Sequence, residues 1–159
     1  AEKLLADGWV GSPQQLSIEG RSAGGLLVGA ALNLRPDLFG AALAGVPFVD
    51  VLVTMSDASI PLTCGEWEEW GNPNESKFFE YMRSYSPIDN VREAPYPPVL
   101  ITAGLYDPRV AFWEPAKYAQ KLRDKSTSDA EVLLKMDLDT GHFSASDRYK
   151  YLEETAFDQ

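Results

Sequence analysis

Apolar positions along the chain form short unbroken runs that alternate with stretches of helical spacing. Leu16 to Glu19 reads as a short strand that breaks at Gly20. Beyond Ser22 the period changes: Ala23 to Leu34 carries Leu26, Leu27, Ala30, Ala31 and Leu34 on one helical face, with Pro36 just past its end. Phe39 to Val53 is a continuous run of small and branched apolar residues, the pattern of a strand buried on both faces, which Pro47 should end. Pro98 to Gly104 is a second buried strand and Glu131 to Met136 a third. Thr54 to Asn74 is polar and aromatic, with the glycine- and proline-bearing cluster Gly65 to Pro73, and reads as an ordered loop. Lys77 to Arg83 predicts a short helix, Ser86-Pro87 a turn into Asn90, Pro115 to Leu122 a helix, and Asp147 to Glu154 a last helix. The opening Glu2 to Trp9 resembles the end of a helix. Strands alternating with helices predict the α/β class, a parallel sheet with crossover helices within one domain over residues 1–159.

Composition narrows the function classes. The 159 residues are 45% hydrophobic and 11% aromatic, enough for a packed core. Twenty-four acidic against fourteen basic side chains give a net charge of -10, which repels nucleic acid and anionic membranes and favours cationic ligands. One cysteine, Cys64, excludes an internal disulfide and, with one histidine, leaves no structural zinc set, so no metal or cofactor is expected. No apolar stretch approaches a membrane span and no signal-like segment opens the chain. The expectation is a soluble, cytoplasmic protein.

Gly20-Arg21-Ser22-Ala23-Gly24 has the G-x-S-x-G spacing of a nucleophile elbow, where a strand turns sharply into a helix and holds the serine hydroxyl clear of the sheet. Side chains in place of the flanking glycines are expected to collide. The alternative is a glycine-rich turn for close packing or phosphate binding. Two further polar residues follow predicted strands, Asp107 after Val99 to Ala103 and His142 after Val132 to Met136, where ligands gather in such sheets. The order Ser, Asp, His is that of α/β-hydrolases. In such a set histidine accepts the serine proton while the carboxylate fixes its tautomer. Asp107 also reads as a turn-forming Asp-Pro. Asp137 and Asp139 are rival acids, but they lie too near His142 in sequence for the separate-strand arrangement. The backbone N–H of Ala23 is one candidate oxyanion donor.

The segments Gly20 to Gly25, Leu62 to Pro73, Tyr85 to Val91 and Gly104 to Val110, with Gly141-His142, resemble the catalytic domain of the prolyl oligopeptidase family of serine peptidases, in its branch that cleaves after arginine or lysine. The resemblance implies Ser22 as nucleophile, Asp107 as orienting acid and His142 as general base. It also implies that Glu66 and Glu68 receive the basic side chain of a short peptide, and that Arg109 binds a substrate carbonyl. A solvated acidic loop and an exposed arginine are the plain alternatives for these residues. The fold implied is a partial α/β-hydrolase. It lacks the family's β-propeller, the first strands of its sheet and its oxyanion tyrosine. An open sheet edge of that kind is expected to self-associate or to pair with the missing N-terminal part. Two other functions stay open: an esterase or aminopeptidase of the same fold, and an inactive fragment serving only in binding or assembly.

Overall fold

The computed structural model of the chain describes residues 1–143 and 148–158. Four strands, β1 (Ser17–Arg21), β2 (Ala41–Gly45), β3 (Val99–Gly104) and β4 (Val132–Asp137), form one parallel sheet in the order β1-β2-β3-β4. The helices are α1 (Glu2–Ala6), α2 (Ala23–Leu34), α3 (Val51–Ser56), α4 (Thr63–Trp70), α5 (Ser76–Tyr85), α6 (Trp113–Lys125) and α7 (Arg148–Asp158). The α/β class with helical crossovers is therefore as expected. Asp147, the expected start of the last helix, lies outside the described residues.

Two apolar clusters hold these elements. Alternate residues of the strands, including Ala42, Ala44, Val99, Ile101 and Val132, meet Val28 and Leu32 of α2 and Tyr118, Ala119 and Leu122 of α6. Burial of this kind contributes roughly 25 cal/mol per Å² of apolar surface, and both helices are pinned to one face of the sheet. The second cluster, Leu26, Phe48, Val51, Met55, Met82 and Val110, sits where α3, α4 and α5 are inserted between β2 and β3.

That insertion departs from the expected loop over Thr54 to Asn74, whereas the end of the strand before Pro47 is as expected. The strand does end at Gly45, and the apolar residues Val51 to Val53 begin α3 instead. Gly65 looks like a breaker, yet α4 runs through it. Trp67 and Trp70, three residues apart, pack on the second cluster, and the Trp70 indole N–H donates to Glu66 one turn back. Tertiary packing outweighs the roughly 1 kcal/mol helix penalty of one glycine. The helix stops at Gly71, whose φ of 98° suits a residue without Cβ.

Candidate active site

β1 leads directly into α2 through Ser22, whose φ of 55° is positive for a non-glycine residue. Its N–H donates to the Gly45 carbonyl at 2.9 Å and its carbonyl accepts the Phe48 N–H at 3.0 Å, so the strained turn is tied to the chain leaving β2. The glycines divide into two groups. A Cβ at Gly20 would stand 2.3 Å from the Gly24 carbonyl oxygen, and one at Gly25 2.5 Å from Pro47 Cβ, whereas one at Gly24 meets nothing within 4 Å. Collision therefore explains Gly20 and Gly25 but not Gly24. Ala23 opens α2, where the first N–H groups have no intrahelical acceptor, and it lines the same cleft as Ser22.

At the far side of the sheet, the ends of β3 and β4 stay zipped beyond the strands. Leu105 N–H donates to the Asp137 carbonyl and Tyr106 N–H to the Thr140 carbonyl. Gly104 permits this approach, since a Cβ there would lie 2.5 Å from the Gly141 oxygen. The two loops so joined carry Asp107 and His142, whose Oδ2 and Nδ1 are 2.7 Å apart with side chains only 1% and 8% exposed. Asp107 Oδ1 accepts the backbone N–H groups of Arg109 and Val110. Burial pushes the Asp107 carboxyl up, but the bonds from His142, Val110 and Arg109 outweigh it and hold the group below its ordinary range. Asp137 has a different task, accepting the N–H groups of Asp139 and Thr140 in a local turn.

An imidazole bonded through Nδ1 to a carboxylate presents Nε2 as a proton acceptor. Among the described residues the Ser22 hydroxyl has no hydrogen-bond partner, so the structure joins Asp107 to His142 and leaves Ser22 separate. Arg21, immediately before the serine, reaches the His142 carbonyl at 3.4 Å and is, among the described residues, the one side-chain hydrogen bond between the elbow and the histidine loop. Only its place inside the G-x-S motif marks it in the sequence.

An open cleft of about 520 Å³ lies beside Ser22, bounded by Ala23, Phe48, Thr54, Glu66, Trp70 and Arg109 among others. Glu66 and Arg109 are thus brought to Ser22. Glu68 is not. It is exposed on α4 and does not line the cleft, because residues two apart on a helix point about 200° away from each other. Glu66 Oε2 accepts the Trp70 indole N–H at 3.1 Å, while Oε1 has no hydrogen-bond partner among the described residues. Phe48 and Trp70 meet edge to face at 5.4 Å and form the apolar wall. The Arg109 guanidinium stands 5.5 Å from the Phe143 ring centre and forms no ion pair among the described residues. Those residues contain no group of three or more acidic, histidine or cysteine side chains placed to hold a metal, and no helix long and apolar enough to cross a membrane.

The sequence profile of the prolyl oligopeptidase family matches residues 1–158. The chain is 47% identical over 156 residues to Protease 2 of Moraxella lacunata, covering 98% of this chain and 23% of that one. It superposes on oligopeptidase B from Leishmania major with a TM-score of 0.95 at 62% identity, covering 98% of this chain and 21% of the other. It also superposes on oligopeptidase B from Trypanosoma brucei, in a closed form with covalently bound antipain, at a TM-score of 0.93 and 72% identity, covering 98% and 22%. The chain therefore spans less than a quarter of the length of the relatives it matches.

Proposed function

The chain belongs to the prolyl oligopeptidase family, and from that we propose that it forms the C-terminal portion of a serine peptidase catalytic domain that cleaves short peptides after arginine or lysine. Ser22 is the nucleophile, His142 the general base and Asp107 the acid that orients it. The base removes the hydroxyl proton as Oγ attacks the scissile carbonyl, then returns it to the leaving amine, and water resolves the acyl-enzyme by the same route. Proton transfer requires Nε2 to come within about 2.6–3.2 Å of the serine oxygen. The Ala23 N–H donates to the developing oxyanion, with a second donor supplied from the rest of the parent chain.

The observation that carries this reading is the shared cleft, in which Ser22 stands beside a carboxylate whose Oε1 accepts no hydrogen bond among the described residues. A guanidinium or ammonium meets Glu66 Oε1 there, against the wall formed by the Phe48 and Trp70 rings. Arg109 binds a substrate carbonyl at the mouth of the cleft. Glu68, exposed on the opposite side of α4, adds to the negative field that attracts basic peptides rather than binding them. The side of β1 that pairs with no strand among the described residues joins the sheet of the preceding part of the parent chain. The lone exposed thiol of Cys64 suits a cytoplasmic setting.

The test uses the parent enzyme. Glu66→Gln should lower kcat/KM for arginine substrates by about 30-fold, as expected for one lost charge-assisted contact of roughly 2 kcal/mol, and leave alanine substrates within a few-fold. Equal losses on both would refute the specificity assignment. A fluorophosphonate probe should label Ser22, and absence of native labelling would refute the nucleophile.

A further inference from the structure

Glu114 is 0% exposed, yet it lies on none of the sheet-end loops that carry the proposed catalytic groups. It projects from the first turn of α6 into the back of the cleft wall. Its Oε2 accepts the N–H groups of Val49 at 3.2 Å and Asp50 at 3.0 Å, and its Oε1 meets the Thr54 hydroxyl at 2.5 Å. From Thr54 the chain of contacts continues outward. The Thr54 carbonyl accepts the Thr63 hydroxyl at 3.0 Å, and Thr63 is the first residue of α4. One helix turn on, the Trp67 indole N–H donates to the Met55 carbonyl. The same carboxylate therefore holds two things. It fixes the backbone directly after Phe48, and through Thr54 and Thr63 it fixes the start of the helix bearing Glu66. Every donor and acceptor along this path is buried or half-buried, where an unmade bond costs more than a made one returns.

We infer that Glu114 is a positioning residue for substrate selection: it sets the spacing between the Phe48 wall and the Glu66 carboxylate, and so the fit of a basic side chain, without touching the substrate. The inference rests on the specificity reading given above for Glu66. Removing the carboxylate orphans two buried N–H groups at the head of α3 and frees α4 to shift. The serine turn keeps the bond from its N–H to the Gly45 carbonyl, and its second tie, from the Phe48 N–H to the Ser22 carbonyl, lies before the two N–H groups that Glu114 holds. The consequence falls on binding of the basic side chain more than on chemistry at the serine. Glutamine should substitute well, because its amide oxygen accepts both N–H groups while its NH2 donates to the Thr54 oxygen.

The experiment measures the parent enzyme with paired arginine and alanine substrates. Glu114→Ala should lower kcat/KM for arginine by about tenfold or more, mostly through KM, and should leave alanine turnover and fluorophosphonate labelling of Ser22 within about threefold. Glu114→Gln should restore arginine KM to within about threefold of the parent. Equal loss on both substrates, or an arginine preference unchanged in Glu114→Ala, overturns the inference. If Glu114→Ala does not fold, Thr54→Val carries the test: it cuts the link to α4 alone and should raise arginine KM about threefold, and no shift overturns the inference. Glu66→Gln is run beside them. Loss of arginine preference there but not in Glu114→Ala defeats this inference alone, whereas retention in Glu66→Gln defeats the reading beneath it and the inference with it.

Discussion

At the scale of single residues, the motif glycines and one buried carboxyl show how far local pattern reaches. Gly25 lies outside the G-x-S-x-G frame, yet it is one of the positions where a methyl group has no room. Gly25→Ala should cost about 1–3 kcal/mol by forcing α2 away from Pro47, whereas Gly24→Ala should be neutral or stabilising by up to about 1 kcal/mol. Urea unfolding of the parent protein distinguishes the two. Glu114 carries a pH signature as well. Burial pushes its carboxyl up from 4.5 to about 7, against hydrogen bonds from Thr54, Asp50 and Val49. The Asp50 charge raises it further, and Lys117 pairs with Asp50. Between those two values the folded protein holds a proton that the unfolded chain has released, so this group lowers stability as pH rises from about 4.5 to about 7. The Asp107 carboxyl acts with the opposite sign, its contribution being lost as pH falls through its lowered folded value. Glu114→Gln should flatten the first slope and leave the second, as read from denaturation midpoints at stepped pH. Ser22, Asp107 and His142 stand out in the sequence because each follows a strand. Glu114 has no such mark, since its partners Val49, Asp50 and Thr54 are about sixty residues away.

At the scale of elements, the strands and α5, expected over Lys77 to Arg83, are legible, and the inserted helices α3 and α4 are not. β2 and β3 are runs of small or branched apolar residues bounded by glycine or proline, β4 opens on Val132-Leu133-Leu134, and such runs have few alternatives inside a globule. α4 has a weak pattern, with Gly65 near its start and three glutamates, and it exists because its tryptophans have somewhere to go. The same fact corrects the paired-carboxylate picture. In an extended loop Glu66 and Glu68 could converge on one cation, but in a helix they diverge. Helix α4 should therefore depend on its indole contacts. Trp67→Phe retains most of the apolar packing and loses the bond to the Met55 carbonyl, and it should cost about 1 kcal/mol and raise arginine KM, with alanine KM unchanged. Equal stability of variant and parent would show that this bond does not anchor the helix.

At the scale of the whole molecule, the sheet has strands at both edges, and among the described residues β1 pairs only with β2. An unpaired parallel edge is a template for another chain. The isolated 159 residues should therefore self-associate, read by sedimentation velocity, and a sharp monomer at tens of micromolar would count against the role proposed for that edge. The zipped ends of β3 and β4 carry one last consequence. Acid and base travel as one body, because the backbone ladder that joins their loops continues past the strands. The serine is anchored separately, to the chain leaving β2, and β1 lies three strand spacings from β4, roughly 14 Å. Three residues thus reduce to a single geometric coordinate, the offset between the serine turn and the joined loops, which the β2–β3 pairing and the Arg21 bond to the His142 carbonyl set. Whatever pairs with the outer edge of β1 holds one end of that offset.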